Sequence, residues 1–253
     1  MSDLRIRELS EAVLRGHGWL SHQSDSLADE VLRRGLPQRF GPNSEIFRPG
    51  DPAGGVYAVV DGLVVLTVAP VGLPRALVQH VGIGTWLGAL PFFGETQRAT
   101  SLRAVNETVL FHLPLRAMEA IVSAEPRALR AFGEIAADDG ALWLRVVEDL
   151  LQPDTGRRVA ATLLRATRDG RVRVPLTQLD LATMANASRR QVNTVLQGFA
   201  SRGWIAQGYG SVTVLDAEGL RRSLEDGGPA GADTGRRMEE CVGAYSPPPS
   251  VLT

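Results

Sequence analysis

Lysine is absent from this chain of 253 residues, and cysteine occurs only once, at Cys241. A single cysteine excludes an internal disulfide and any metal cluster held by several thiolates of one chain. The four histidines are scattered without the spacing of metal ligands, so we predict no metal site and no cofactor. No apolar run is long enough to span a bilayer, and residues 1–5 lack the apolar core of a signal peptide. We therefore expect a cytoplasmic protein with no membrane partner.

All 27 basic residues are arginines, and they are distributed unevenly along the chain. Residues 154–225 hold 11 arginines against 6 acidic residues, a net charge of +5, whereas residues 1–153 have a net charge of −4. A chain of net charge −1 therefore contains a basic module near its C-terminal end. Positive charge attracts the phosphates that dominate affinity for nucleic acid. This distribution predicts that the basic module binds double-stranded DNA.

Two helix starts are marked by capping-box pairs within the basic module. Thr177 is followed three residues on by Asp180, and Ser188 is followed three residues on by Gln191. Only four residues separate the two predicted helices, and Asn186 is the one among them that tolerates a left-handed backbone at low cost. The segment therefore predicts a helix, a tight turn and a second helix.

The second predicted helix has one apolar and one polar face. Its apolar residues Val192, Val195, Leu196 and Phe199 recur at the spacing of a buried helical stripe. The other face can lie in the major groove, where Arg suits guanine and Asn or Gln suits adenine. Residues 203–215 then indicate a β-hairpin, which completes a winged helix-turn-helix. The candidate DNA-contacting residues are Thr177, Gln178, Ser188, Arg189, Arg190, Gln191, Asn193 and Thr194.

The N-terminal half of the chain changes from helical to strand-like sequence. Residues 4–35 are expected to form two helical pieces, broken near Gly16-His17-Gly18. From Glu45 onward, short apolar runs separated by Gly and Pro indicate an antiparallel sandwich or barrel. Near Pro114 the pattern becomes helical again. The predicted strands contain residues 46–47, 56–60, 63–68, 76–78 and 108–113.

Residues 129–150 recur at alternating spacings of three and four, as in the heptad seam of two packed helices. The seam positions are Leu129, Phe132, Ala136, Asp139, Trp143, Val146 and Leu150. The same pattern also fits a single helix lying on the β domain. We favour a homodimer, because a two-fold axis beside the basic module would set two recognition helices about 34 Å apart, one DNA turn.

These patterns predict an α+β chain with an antiparallel β-roll, a long dimerisation helix and a C-terminal winged helix-turn-helix. We place an effector domain at residues 20–125, the dimerisation helix at 126–152 and the DNA-binding domain at 153–222. Pro153 marks the end of the long helix, since proline cannot continue it. Residues 226–253 have too little apolar content to fold, so we expect a disordered tail.

Over roughly residues 20–222 the chain resembles the Crp/Fnr superfamily of bacterial regulators. The resemblance rests on these segments: Phe47-Arg48-Pro49-Gly50-Asp51, the glycine-punctuated Gly55–Gly62, Leu181-Ala182, Ser188-Arg189, Val192, Gly203-Trp204-Ile205 and Leu215-Asp216. It implies a cyclic-nucleotide-binding-like β-roll, a homodimer on a two-fold symmetric DNA site, and RNA polymerase as a partner if the protein activates transcription. It also implies that Arg189 faces a guanine. Arg190 replaces a usual acidic residue, so the half-site should differ.

Members of this superfamily that bind cyclic AMP carry a Gly-Glu pair for ribose and, about ten residues later, an Arg-Ser pair for phosphate. Here Gly88-Ala89 and Arg98-Ala99 take these places, and Leu142-Trp143 stands where adenine would be read. Alanine cannot accept a hydrogen bond from ribose, so we predict an effector other than cyclic AMP. A small anion at Arg98, or no ligand, is left open. The candidate ligand-binding residues are Gly88, Arg98, Thr100, Leu142 and Trp143.

The sequence favours a DNA-binding regulator over a protein-contact module, an enzyme, and an iron–sulfur or haem sensor. A ligand-binding regulatory module whose winged helix contacts another protein would not need the basic excess. An enzyme would need a nucleophile–base pair or a phosphate-cradling loop, and Gly82-Ile83-Gly84 alone is too weak a signal, so we predict no catalysis. The iron–sulfur sensors of the superfamily use an N-terminal cysteine group that this chain lacks. We interpret His80 and His112 as structural residues rather than haem ligands.

Overall fold

The computed structural model describes residues 3–68, 77–94, 96–167 and 173–225. The chain starts with helix α1 (Asp3–Gly16), a short 3-10 helix (Trp19–His22) and helix α2 (Asp25–Arg34). The predicted break between the helical pieces is confirmed, and Gly18 adopts a positive φ of 74° there. Ser24 caps α2 by accepting a hydrogen bond from the amide of Leu27. The predicted disordered tail, 226–253, lies outside the described residues.

The following segment forms a roll of two antiparallel sheets. Its elements are β1 (Leu36–Phe40), β2 (Glu45–Phe47), β3 (Gly55–Asp61), β4 (Val64–Val68), β5 (Leu77–Val81), β6 (Trp86–Leu87), α3 (Leu90–Gly94), β7 (Ser101–Ala104) and β8 (Thr108–Pro114). One sheet has the order β1-β8-β3-β6 and the other β2-β7-β4-β5. Apolar side chains such as Val59, Leu66 and Leu102 fill the space between the sheets. The predicted β-roll is therefore confirmed.

Three of these strands were not predicted from the sequence. Strand β1 lies at a sheet edge with a single neighbour, so its sequence lacks a continuous apolar run. Strand β7 buries only Leu102 and Ala104, and β6 is only two residues long. Short or one-sided strands carry too few buried positions to give a clear period-two signal.

The N-terminal helices share one core with the outer face of the roll. Ile6 and Leu14 of α1 pack in the same cluster as Val56 and Phe111 of the first sheet. The helices α4 (Leu115–Ala124) and α5 (Ala128–Leu150) follow β8 and close this core. The packed N-terminal unit therefore begins before residue 20, the boundary expected from the sequence.

The predicted heptad seam on α5 was wrong for its central positions. Phe132, Asp139 and Val146 are buried within their own chain, and Val146 is only 1% exposed. Phe132 stacks on Trp19 with ring centroids 5.7 Å apart. The burial of these three side chains within one chain agrees with the alternative interpretation, in which α5 is a single helix packed on its own chain. An apolar repeat of 3.5 residues identifies side chains that share one face of a helix. It does not show whether that face packs against the same chain or against a second copy.

The opposite face of α5 is apolar and open to solvent. Leu144 is 65% exposed, Val147 is 45% exposed, and Leu151, one residue beyond the helix, is 77% exposed. Gly140 precedes them by one turn and also lies at the surface. We call Gly140, Leu144, Val147 and Leu151 the outer stripe. Its spacings of four, three and four are those of a heptad seam.

The C-terminal unit contains every predicted part of the winged helix-turn-helix. Its elements are α6 (Thr155–Ala166), β9 (Arg173–Val174), α7 (Gln178–Met184), α8 (Arg189–Ser201), β10 (Ile205–Gly208), β11 (Ser211–Val214) and α9 (Ala217–Glu225). Both capping boxes are formed, at Thr177 and at Ser188. Asn186 adopts φ 45° in the turn, as expected. The wing has a third strand, β9, which pairs with β11 and was not predicted.

The two units are joined at Arg165 of α6. Its Nε donates to the carboxylate of Asp149 at 2.9 Å, and its Nη1 donates to Oε1 of Gln79 at 2.7 Å. The side chain is only 6% exposed. A buried charge of this kind is tolerated because it is paired and hydrogen-bonded. Arg165 therefore links β5 of the roll, the end of α5 and the C-terminal unit.

None of the helices in the described ranges is long and apolar enough to cross a membrane.

Candidate nucleic-acid interface and effector site

The start of α8 presents two unpaired arginines. Arg189 and Arg190 are exposed, and neither guanidinium has an ion pair or hydrogen-bond partner among the described residues. Ser188 caps the helix by accepting from the amide of Gln191 at 3.2 Å. The cap fixes the helix start, and the two guanidinium groups follow it directly on the surface. Both remain available for a phosphate or a base edge.

Other predicted DNA-contacting residues are used partly within the protein. The side-chain oxygen of Gln191 accepts from the amide of Ser188 at 2.9 Å and from its hydroxyl at 2.8 Å. The Thr177 hydroxyl donates to Asp180 at 2.7 Å. Gln191 therefore keeps only its amide hydrogens for DNA, and Thr177 serves first as a helix cap.

Gln178 and Asn193 connect the two helices of the motif. The Gln178 amide donates to Oδ1 of Asn193 at 3.0 Å, so α7 is tied to the outer part of α8. The Thr194 hydroxyl donates to the carbonyl oxygen of Arg190 at 3.1 Å. These contacts position the recognition helix, and they do not involve the guanidinium groups of the two arginines.

A groove of about 460 Å³ separates α7 and the start of α8 from the wing. Tyr209 at the wing tip is fully exposed. The exposed Arg173 on β9 donates from Nε to the Ser211 hydroxyl at 3.2 Å, which holds it beside the wing. Neither residue was a candidate from the sequence. Tyr209 had a local signal, a tyrosine between two turn glycines, whereas the placement of Arg173 depends on the pairing of β9 with β11.

A second cavity, of about 250 Å³, opens in the roll beside α5. We call it the β-roll cavity. Four of the five candidate ligand-binding residues line it: Gly88, Arg98, Thr100 and Trp143. Leu142 does not line it, although it follows its neighbour Trp143 on the same helix. Leu142 instead packs against the core of the roll and borders another cavity.

Arg98 in the β-roll cavity is engaged by the protein itself. Its Nη1 donates to the carbonyl of Gly88 at 2.8 Å, and its Nη2 donates to the carbonyl of Gly55 at 2.6 Å. The guanidinium carbon lies 4.2 Å from the ring centroid of Phe47. Gly88 has φ 90°, and a Cβ there would lie 2.2 Å from Nη1 of Arg98. Arg98 therefore ties β3 to the turn after β6, and glycine at 88 makes that contact possible.

Asp139 lies on α5 and lines the β-roll cavity together with Arg98. Its carboxylate accepts from the amide of Gly88 at 3.2 Å. Burial raises the pKa of Asp139 to about 7, although the Gly88 and Ala89 amides and the charge of Arg98 act to lower it. The backbone of the Gly-Ala pair is therefore held by a carboxyl group of the chain's own helix. The sequence placed Asp139 in the heptad seam and gave it no part in this site.

His112 and His80, the two histidines considered as haem ligands, lie in different surroundings. His112 donates from Nε2 to the carbonyl oxygen of Gly54 at 2.8 Å, and its ring stacks on Tyr57 with the ring centroids 4.3 Å apart. This arrangement fits the structural role expected for His112. Burial lowers the pKa of His80 to about 4, so its imidazole is neutral at pH 7. In the part of the chain that the structure describes, no group of three or more His, Cys, Asp or Glu is placed to hold a metal.

Asp139 generates a pH-dependent prediction. Its pKa in the folded protein, about 7, lies above the usual 3.8, so the folded state binds the extra proton between these values. Its contribution to stability therefore falls as the pH rises from about 4 to about 7. We expect Asp139→Asn to raise the free energy of unfolding, by about 2 to 3 kcal/mol more at about pH 8.5 than at about pH 5. Denaturant unfolding of both proteins at the two pH values measures this difference.

The matched control is Glu119→Gln, which removes a carboxylate from an exposed position on α4, away from Asp139. Its effect on unfolding should be small at both pH values. An equal gain for Asp139→Asn at the two pH values would show that Asp139 is already charged throughout this range.

Comparison with known proteins identifies both units. A cyclic nucleotide-binding domain matches residues 37–125, and a Crp-like helix-turn-helix domain matches residues 157–223. The chain is 28% identical to the HTH-type transcriptional regulator Cmr of Mycobacterium tuberculosis, over 87% of this chain and 89% of that protein. It is 29% identical to a CRP-like cAMP-activated global transcriptional regulator of the same organism, over 74% of this chain and 87% of that protein.

Solved structures show the same architecture. A CRP/FNR-family transcriptional regulator from Thermus thermophilus is 27% identical, with a TM-score of 0.60 over 75% of this chain and 98% of that one. FixK2 from Bradyrhizobium japonicum shares the fold at 16% identity, with a TM-score of 0.65 over 78% of this chain and 99% of that one. The two matched domains follow in the expected order, and the protein belongs to the Crp/Fnr superfamily of transcriptional regulators, with a DNA-binding helix-turn-helix.

Proposed function

We propose that this protein is a cytoplasmic, sequence-specific transcriptional regulator that binds a two-fold symmetric DNA site as a homodimer. The observation that carries the proposal is the pair of exposed, unpaired guanidinium groups, Arg189 and Arg190, at the capped start of α8. A recognition helix contacts base edges through its N-terminal residues. Arginine at such a position makes a bidentate contact with guanine in the major groove.

Exposed polar side chains on the wing side of the groove support the proposal. Arg173 and Tyr209 are exposed beside it, and Thr177, Gln178 and Arg189 line its other wall. A cation and a hydrogen-bonding aromatic next to the recognition helix suit contacts with the DNA backbone. We assign base recognition to Arg189 and Arg190, and backbone positioning to Arg173 and Tyr209.

We assign the dimer interface to the outer stripe rather than to the seam predicted from the sequence. Leu144, Val147 and Leu151 are exposed apolar residues on a helix whose other face is already buried. A second copy of the same stripe would cover them in a left-handed helix pair. Because α5 leads directly into the C-terminal unit, a two-fold axis along it would also pair the two recognition helices.

Cyclic AMP is not the effector in this proposal, although one relative is named as cAMP-activated. Ala89 is fully buried and offers no acceptor to ribose. Both terminal nitrogens of Arg98 already donate to backbone carbonyls. A cyclic phosphate at Arg98 could use only the N–H groups that these two bonds leave over, and the ribose contact missing at Ala89 would not be replaced.

Replacing Arg189 tests the assignment of the recognition helix. We expect Arg189→Ala to weaken binding to the selected specific site by about 1 to 3 kcal/mol, and binding to random DNA much less. The specific site is first selected from random duplexes with the purified protein. Binding constants for both DNAs at the same salt concentration then give the comparison.

Arg221→Ala serves as the control, since it removes the same charge from α9, where Arg221 pairs with Glu218 at 3.0 Å. Its small effect should be the same on both DNAs. An equal loss for Arg189→Ala on specific and random DNA would make Arg189 a phosphate contact and contradict the proposed base contact.

A charge in the outer stripe tests the dimer. We expect Val147→Glu or Leu144→Glu to yield folded monomers, because a carboxylate would be buried without a partner at the two-fold axis. Leu36→Glu is the control, since Leu36 is 53% exposed on edge strand β1, away from the stripe. Sedimentation at micromolar concentration measures the association. A wild-type protein that is monomeric both alone and on DNA would refute the homodimer.

Titration calorimetry tests the effector. The unmatched positions remove about 2 to 6 kcal/mol, which moves a micromolar affinity for cyclic AMP toward the millimolar range or weaker. We therefore expect no binding of cyclic AMP or cyclic GMP at physiological concentration and unchanged affinity for DNA. Micromolar binding that also tightens the DNA complex would contradict this interpretation of the β-roll cavity.

A further inference from the structure

A third cavity, of about 300 Å³, lies between the roll and the C-terminal unit. We call it the interdomain cavity. Its wall combines residues 79–82 at the end of β5, Thr85 and Trp86, one face of α5, and Arg165 and Ala166 of α6. It is separate from the β-roll cavity, and the two share only Asp139 among their lining residues.

The wall of this cavity concentrates unpaired polar atoms. Within the described ranges, six buried side-chain nitrogen or oxygen atoms have no hydrogen-bond partner, and four of them belong to residues that line it. These four are Nδ1 of His80, Nε1 of Trp86, Nε of Arg145 and Nη2 of Arg165. Buried donors are paired in nearly all proteins, because leaving one unpaired is costly. A cluster of four around one cavity therefore indicates a missing partner.

The chemistry of these atoms selects the partner. The indole and both guanidinium nitrogens can only donate hydrogen bonds, and the two arginines carry positive charge. His80 is 9% exposed and Trp86 is 3% exposed, so the donors are held in a largely dry wall. An oxyanion has negative charge and several acceptor lone pairs, so it matches the donors and the positive charge of the residues in this wall.

Acidic residues also line this wall, and they limit the charge of the ligand. Asp138 is exposed to solvent, whereas Asp139 is buried and accepts from the amide of Gly88. Asp149 does not line the cavity, but its ion pair with Arg165 offsets the charge of that arginine. Arg145 is thus the cation of this wall that has no hydrogen bond or ion pair among the described residues. With one such cation, a small anion suits the site better than a polyanion.

We propose that the interdomain cavity binds a small oxyanion, a carboxylate or a phosphate, and that this ligand is the effector of the protein. The regulatory part rests on the proposed DNA-binding function, whereas the binding part does not. The ligand would contact β5, α5 and α6 together. It would therefore favour one orientation of the C-terminal unit relative to the roll, which is how a ligand shifts a two-state equilibrium.

The position of α7 strengthens the link to DNA. His80 lies near enough to Asp180 of α7 for that carboxylate to act against the lowering of its pKa by burial. Asp180 closes the capping box that begins α7, the first helix of the DNA-binding motif. Placing an anion beside His80 thus changes the electrostatic surroundings of the helix that supports α8.

The first experiment titrates the full-length protein with sulfate, phosphate, acetate, succinate and citrate at constant ionic strength, using calorimetry and thermal unfolding. We expect saturable binding of at least one of them. A preference for sulfate and phosphate would identify a phosphorylated ligand, and a preference for the organic acids would identify a carboxylate. Absence of saturable binding by all five would overturn the proposal.

Substitution then locates the site. Arg145→Met removes a guanidinium that has no hydrogen bond in the described structure, and we expect it to weaken binding at least tenfold. Arg130→Met makes the same change at an exposed position on the same helix and should leave binding within about twofold. Trp86→Phe removes the indole donor and should also weaken binding. If Arg145→Met binds normally while Arg98→Met does not, the anion occupies the β-roll cavity and the proposal is wrong.

DNA binding separates this inference from the proposed function. A saturating oxyanion should change affinity for the specific site in the wild type and in Arg130→Met, but not in Arg145→Met. Oxyanion binding without any effect on DNA affinity would refute the effector role and leave DNA binding intact. Failure of the protein to bind any selected DNA, with anion binding retained, would refute the proposed function alone.

Discussion

The burial of one face of α5 on its own roll constrains most of what this protein can do. Two contacts fix the rotation of the helix about its axis: Phe132 stacks on Trp19, and Asp139 accepts a hydrogen bond from the Gly88 amide. Once that rotation is fixed, Leu144 and Val147 must face outward. The same helix ends beside Arg165, so its placement also decides where the C-terminal unit begins. One packed face thus determines which apolar residues of α5 stay exposed and where the DNA-binding motif begins.

The features predicted correctly from the sequence depend on neighbours a few residues apart. Thr177 and Ser188 form capping boxes with residues three positions further along the chain. The positive φ of Asn186 is a local property of that residue type in a tight turn. The heptad seam was wrong because the choice between two faces of α5 depends on distant residues. One signal was present in the sequence, since Asp139 is a charged residue at a seam position that should be apolar.

The effector region was harder to predict because its contacts join distant parts of the chain. Gly88 and Asp139 are 51 residues apart, and Gln79 and Arg165 are 86 apart. The resemblance to the superfamily placed Arg98 near Gly88, and the structure agrees with that placement. It could not show that the guanidinium is used by two backbone carbonyls. The sequence spacing of Trp86, Arg145 and Arg165 does not predict that they line one cavity, because each lies on a different element.

The β-roll cavity and the interdomain cavity differ in how far their polar groups are already hydrogen-bonded. In the β-roll cavity the Asp139 carboxyl holds the backbone of the Gly-Ala pair, and Arg98 is held by backbone carbonyls, so the polar groups there are largely satisfied. In the interdomain cavity four buried polar atoms remain unpaired. Binding energy comes from groups that gain partners, and satisfied groups gain little. Under the proposal above, a ligand would therefore gain more hydrogen bonds in the interdomain cavity, where it would also act on the relative orientation of the two units.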